Sequence, residues 1–323
     1  MVTPVWRAKR ARLAIQVAYS VILIGAIYFL VQSLDFDLLR GFTPEPGNLL
    51  LALFVGMMNM FWMAFVFFIA LGSPRVMASK VHGFFAVLRV FGQTWLSRYF
   101  PVKGAWVVHR LSLARSLSMT KAQMGSSTAL ELLTQFFGMA AVAAVFVLVR
   151  PESVRDSTSL MIVLPLLAVL FFLLGSSRVL KKAIGFLSRV KGINPGAFTL
   201  PSFSLYSRLA VAQIVTALLS GASTALILIA VGGPETLSTL FFVIGVSAVA
   251  NMVSVLAFFA PAGIGVKEGV YIFAFQGLMS LELAVVVAVL ARLVSVIGDV
   301  LFFLLSQVPK DKRQGIHTPV VAE

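Results

Sequence analysis

Seven stretches of this chain stay apolar for about the 20 residues that a helix needs to cross the hydrocarbon core of a bilayer. They are residues 13–34, 48–72, 122–149, 159–175, 206–231, 236–260 and 281–308, with 265–277 as a shorter further candidate. Lipid tails offer no hydrogen-bond partners, so a spanning backbone must satisfy its own N–H and C=O groups, as a helix does internally. The expectation is an all-α polytopic membrane bundle of about eight membrane segments. Composition agrees: 59% of the 323 residues are hydrophobic, 12% are charged and the mean hydropathy is +0.99. No polar stretch is long enough for a separate soluble domain.

Several functional classes drop out at this level. The chain has no cysteine, and His82, His109 and His317 are scattered, so neither a thiolate nor a histidine metal centre is expected. It contains no nucleophile–base constellation, phosphate-binding loop or dinucleotide fingerprint, so neither enzymatic chemistry nor a cofactor is expected. A net charge of +14 and a pI near 10.7 would suggest nucleic acid in a soluble protein. Here the cations sit in short connections between apolar runs, which points to the membrane surface and to no nucleic-acid partner.

Those cations also orient the chain, because Lys and Arg are retained on the cytoplasmic side. Arg7, Lys9, Arg10 and Arg12 precede the first apolar run, which is longer than a secretory signal core and reads as a retained anchor. Residues 35–47 carry Asp35, Asp37 and Glu45 against Arg40 and belong outside, whereas residues 72–121 are rich in Lys and Arg and belong inside. Residues 150–158 are balanced and belong outside; 176–205 are basic and cytoplasmic, with an amphipathic surface helix. The division is a basic arm at 1–12, one membrane domain at 13–308 and a cytoplasmic tail at 309–323, in the cytoplasmic (inner) membrane with both termini inside.

Residues 81–100 are too aromatic for a solvated helix, yet a full crossing there would strand Arg98, Lys103, Arg110, Arg115 and Lys121 outside. A re-entrant segment resolves the conflict. A shift of 160 positions then superposes 48–71 on 208–231, Pro101 on Pro261, and 122–149 on 282–309. Loop charges send the first of these halves, 46–150, across the membrane in the opposite sense to the second, 206–309. That is the pattern of an inverted repeat with broken helices meeting near the bilayer midplane.

The second break runs Phe258-Phe259-Ala260-Pro261-Ala262-Gly263-Ile264-Gly265-Val266-Lys267-Glu268. Broken backbone at bilayer depth is tolerated only where protein or a wet cavity covers it. Gly263 and Gly265 turn the chain into a new helix whose N–H groups and positive end would face the break and attract phosphate or carboxylate. Lys267 adds a cation; Glu268 either pairs with it or couples movement to protonation. The plainer alternative is a kink that only lets helices pack, with Lys267 snorkelling to the surface.

The first break offers Arg98, Tyr99, Phe100, Pro101, Lys103, Gly104, Trp106 and Arg110, cations and aromatic rings suited to a lipid headgroup; a basic loop with an aromatic belt has the same composition. Glu131 lies within an apolar run with Gln135 one turn on. An unpaired carboxylate there costs about 3 kcal/mol on insertion scales, so a cation such as Arg98 or Arg292 should neutralise it, or it is protonated. Arg292 and Asp299 share one helix face with Ser295 between them and should point inward. A structural polar clamp made of these residues is the competing reading.

Together these segments resemble the lysylphosphatidylglycerol synthase transmembrane-region family, flippase-like integral membrane proteins. Residues Arg98 to Trp106 are similar to its Arg-Tyr-x-Pro-Gly-Lys-x-Trp segment, Ala129-Leu130-Glu131 to its intramembrane Leu-Glu, and Pro261 to Glu268 to its Pro-Gly-Gly-x-Gly-x-(Arg/Lys)-Glu. Arg292 to Asp299 resembles its closing helix, where Glu often stands in place of Asp299. Val102 and Ala262 replace two of its usual glycines. The resemblance implies an eight-helix domain that handles anionic or aminoacylated lipids or polyprenyl-phosphate carriers. Lysyl transfer is not expected, because the chain ends soon after Val308 with no room for the soluble domain that some relatives attach.

The expected function is therefore a lipid translocase or a lipid-binding component of one. Arg98, Tyr99, Lys103, Gly263, Gly265, Lys267 and Arg292 would bind the headgroup, and Glu131, Glu268 and Asp299 would compensate charge or couple protons. The alternative from another class is a non-catalytic scaffold or accessory subunit of a lipid- or glycan-modifying enzyme.

Overall fold

The computed structural model describes residues 43–72, 80–99, 105–148, 202–257 and 263–307. Among these the fold is all-helical. In chain order the helices are α1 (Pro46–Leu71), α2 (Lys80–Leu96), α3 (Ala105–Ser112), α4 (Lys121–Leu148), α5 (Phe203–Ala230), α6 (Leu237–Leu256), α7 (Val266–Phe275) and α8 (Leu281–Ser306). The expected spans at 13–34 and 159–175, the basic arm, the tail, and Pro101, Lys103 and Pro261 lie outside the described residues.

Five helices, α1, α4, α5, α6 and α8, are long and apolar enough to cross a membrane. The protein is an integral membrane bundle. The candidate at 265–277 is corrected: α7 has ten residues, about 15 Å of helix, half of what a crossing needs. The span expected at 236–260 stops at Leu256, because Ala257 turns to φ −69°, ψ 82° and the helical path ends there although the residues stay apolar.

Local chemistry sets most helix starts. Thr120 and Gln123 form a reciprocal capping box at α4: the Gln123 N–H donates to Thr120 Oγ1 at 3.2 Å and the Thr120 N–H to Gln123 Oε1 at 2.9 Å. Ser202, Thr236 and Ser280 each accept a backbone N–H at the starts of α5, α6 and α8. Pro46 opens α1, where its missing N–H costs nothing. Gly72, at φ 53°, closes α1 in the left-handed region that glycine enters freely.

The 160-residue shift reappears in the helix boundaries. α2 ends at Leu96 and α6 at Leu256, and α4 begins at Lys121 and α8 at Leu281, each pair 160 apart. Gly72 and Gly232, both at positive φ, are also 160 apart, as are Gly138 and Gly298. The principal helix contacts follow the same exchange of α1–α4 for α5–α8. Contact of α4 with α5 is matched by α8 with α1, α4 with α6 by α8 with α2, and α3 with α4 by α7 with α8.

α1 and α5 form the central pair and run antiparallel. The Glu45 N–H donates to the Ala230 carbonyl, Ser223 Oγ to the Ala52 carbonyl and Trp62 Nε1 to the Ala212 carbonyl, all at 2.8–2.9 Å, so one helix descends as the other rises. Small residues allow close packing around them: a Cβ at Gly138 would sit 2.6 Å from the Gln213 backbone, and one at Gly221 would sit 2.7 Å from Ile244 Cα.

Candidate functional site

α8 is the wall that residues flanking both breaks reach. α2 packs antiparallel against it, Phe91 edge-on to Phe302 with ring centroids 6.0 Å apart, and the Trp95 indole donates to Asp299 Oδ1 at 2.9 Å. Asp299 stands seven residues before the end of α8, about 10 Å along its axis. The chain therefore turns inside the bundle, in the short helical turn Ser97–Tyr99, and returns through α3. From the other half, α7 starts beside Arg292, eleven residues into α8.

Around Asp299 every contact is directed. Arg98 makes an ion pair with Oδ2, the Tyr99 hydroxyl donates to the same oxygen, and Trp95 holds the other. The Arg98 guanidinium lies 4.3 Å from the Trp95 ring centroid, a cation–π contact. The buried carboxylate is thus saturated, and the tip of α2 is latched to α8.

About two helical turns away on α8, Arg292 Nε approaches Glu268 Oε1 at 3.5 Å, and the Arg292 guanidinium lies 5.8 Å from the Tyr99 ring centroid. Residues flanking the two breaks therefore sit together. Glu268 does not pair with its neighbour Lys267, because consecutive helical residues face about 100° apart. Its second oxygen accepts the Gly265 N–H at 2.8 Å. This corrects the expected open anion site at the start of α7, where the chain's own carboxylate takes that N–H.

Gly263 and Gly265 also have a different role from the expected one. Both have positive φ, 66° and 81°, and a Cβ on Gly263 would overlap the Ser254 hydroxyl. They let the chain turn tightly against α6, and neither lines the cavity described next.

Lys267, Arg98 and Arg292 line one polar cavity of about 140 Å³ between α1, α4, α5, α6 and α8. A smaller space of about 60 Å³ adjoins it and reaches Asp299; Lys267 and Ser295 line both. Lys267 Nζ lies 5.5 Å from the Tyr271 ring centroid, and among the described residues no carboxylate pairs with it. Gln135 lines the larger cavity as well.

Glu131 stands apart. It was expected to meet Arg98 or Arg292, but its ion pair is with Arg110 of α3, because Asp299 and Glu268 already hold the other two. Arg110 and Glu131 are both buried, and the guanidinium lies 4.0 Å from the Phe67 ring centroid, 5.1 Å from that of Trp106 and 5.3 Å from that of Phe91. This pair fastens the first hairpin and does not line the cavity.

Sequence reasoning missed Trp95, Asn59 and Gln213. The two amides line the larger cavity, with 6% and 1% of their surface exposed. Their signal was available, since a lone amide in an apolar span is costly without a partner. No known protein family and no curated protein matches this chain.

Proposed function

We propose that this protein is a lipid translocase, or the lipid-binding component of one, that draws an anionic headgroup into the cavity between its two broken hairpins while the tails stay in the bilayer. The convergence of Arg98, Lys267 and Arg292 on one polar cavity inside an apolar bundle carries this reading. Charged groups at that depth are expensive and are retained where they line a pathway or a site. The resemblance to the lysylphosphatidylglycerol synthase transmembrane region supports the same class of cargo: anionic or aminoacylated phospholipids, or polyprenyl phosphates.

The halves related by 160 residues, with α1 antiparallel to α5, support an inverted repeat of the sort that exposes a central site alternately to either side. Loop charges favour the cytoplasmic membrane with both termini inside. With no nucleotide-binding signature in the sequence, movement would be facilitated or ion-coupled, and Glu268 and Asp299 are the carboxylates placed to respond.

The test is reconstitution of the full chain in proteoliposomes with fluorescent phosphatidylglycerol, lysyl-phosphatidylglycerol or a polyprenyl phosphate, with and without a proton gradient. Accelerated loss of leaflet asymmetry for one of them, abolished in a Lys267→Met and Arg292→Gln double variant that still folds, is expected. No movement of any of them under either condition would overturn the proposal in favour of the scaffold role.

A further inference from the structure

Gly138 of α4 and Gly298 of α8 stand 160 positions apart inside their helices, and the residues they face, Gln213 of α5 and Leu53 of α1, are 160 apart as well. The two contacts are one contact, repeated. A Cβ on Gly138 would lie 2.6 Å from the carbonyl carbon and oxygen of Gln213, so the backbones of α4 and α5 touch and no side chain fits between them. The second copy is looser. A Cβ on Gly298 would meet the tip of the Leu53 side chain at 3.7 Å, an ordinary van der Waals distance, so a leucine side chain separates α8 from α1 where its counterpart helices lie backbone to backbone.

Glycine destabilises a helix interior relative to alanine, and the space beside Gly298 would admit alanine without a clash. Among the described residues, nothing in this conformation calls for glycine at 298. Its counterpart shows where glycine is needed: in an arrangement that lays α8 directly on α1, as α4 lies on α5 here. Gln213 supplies the converse. Its Oε1 is buried without a donor, and an unpaired buried acceptor weighs against the state that buries it. Parting α4 from α5 would open that oxygen to the larger cavity, which Gln213 already lines. The cavities obey the same relation: Gly56, Ser295 and Asp299 of the smaller space correspond, 160 positions away, to Thr216, Gln135 and Met139 of the larger.

Resting on the reading of the halves as an inverted repeat, we propose that the protein has a second conformation in which they trade these contacts: Gly298 seats against the α1 backbone at Leu53 while Gly138 parts from Gln213. Small movements suffice, since packed helices switch by shifts of about 1–2 Å. The space of about 60 Å³ that Gly298 and Asp299 border closes, and the larger one extends between α4 and α5. The tip of α2 travels with α8, because Trp95, Arg98 and Tyr99 fasten it to Asp299. The two glycines are thus the paired slots of one rocking motion, each filled in turn.

The experiment measures spin-label distances in the full chain in lipid nanodiscs, using the absence of native cysteine. Val145→Cys with Val211→Cys follows α4 against α5, and Leu305→Cys with Leu51→Cys, 160 positions away, follows α8 against α1; all four positions are exposed. Gly138→Leu should lengthen the first distance and shorten the second, each by about 2 Å. Adding Gly298→Leu should return the second distance to its natural value and leave the first long. Gly298→Ala alone should melt no lower than the natural protein and hold both distances at a single value. Should Gly138→Leu not fold, Gly138→Ala reads the same two distances. Lengthening of the first distance with the second unmoved is a local bulge and overturns the inference, leaving the translocase reading untouched. Paired changes in a chain that moves no lipid uphold the exchange and overturn the translocase instead.

Discussion

The two halves of the molecule place an ion pair at nearly the same point and use it in opposite ways. In the first, the short helix α3 brings the cation, Arg110, and the long helix α4 the anion, Glu131; in the second, α7 brings the anion, Glu268, and α8 the cation, Arg292. Shifted by 160, these residues fall within two positions of one another. The first pair has side-chain exposures of 1% and 6% and is wrapped in aromatic rings, while the second has 20% and 19%, with Arg292 on the cavity wall. The same hairpin architecture has been sealed in one copy and left accessible in the other. Such a division lets the sealed pair fasten its hairpin while the accessible pair borders the cavity.

The largest effect that would test this contrast is on folding. Arg110→Met should strip Glu131 of its partner and cost about 3–5 kcal/mol, seen as a steep loss of folded protein in detergent thermal melts. A Glu131→Leu change on the same background should recover most of that. If Arg292→Met proves equally destructive, the halves are both structural and the contrast fails.

Next in size, Gly263→Ala should destabilise by about 1–3 kcal/mol, because its positive φ and the overlap with Ser254 both oppose a side chain. Gly72→Ala meets nothing closer than 3.8 Å and carries the φ penalty alone, about 1 kcal/mol. Paired thermal melts of the two variants would separate steric from conformational cost.

Glu268→Gln should leave the melting temperature within a few degrees yet reduce lipid movement by about tenfold or more, since it weakens the hold on Gly265 N–H and Arg292 at once. Transport at the natural rate would show that the Glu268–Arg292 pair plays no part in the proposed movement. The smallest effect distinguishes two equivalent caps. Thr120→Ala, which breaks a reciprocal box, should cost about 1 kcal/mol, and Ser280→Ala, with its single 3.4 Å bond, only a few tenths.

Hydropathy located α1, α4, α5 and α8 to within three residues at each described end, because in lipid the length of an apolar run and the length of its helix obey one constraint. It misplaced the end of α6, where residues 257–260 stay apolar while the backbone leaves the helical path at Ala257. Inward placement of Glu131, Arg292 and Asp299 was legible from cost alone. Their partners were not: choosing between Arg98 and Arg110 for Glu131 requires knowing how far α2 penetrates before it turns, which is set by Trp95 and Arg98 meeting Asp299, a contact spanning about 200 residues of sequence. The roles of Gly263 and Gly265 were mistaken for the same reason, since a glycine that admits a ligand and one that admits a neighbouring hydroxyl look alike until Ser254 is in place.

Trp95 gives the protein an optical reporter of its own. Its indole donates to Asp299, carries the Arg98 guanidinium on its face and lines the cavity. Of the four tryptophans, Trp62 is bonded to α5 and Trp106 stands over Arg110. Phenylalanine at positions 6, 62 and 106 would leave a single emitter whose wavelength and quenching register whether the Trp95–Asp299 contact is intact, so the state of that contact could be followed by light without attaching a dye.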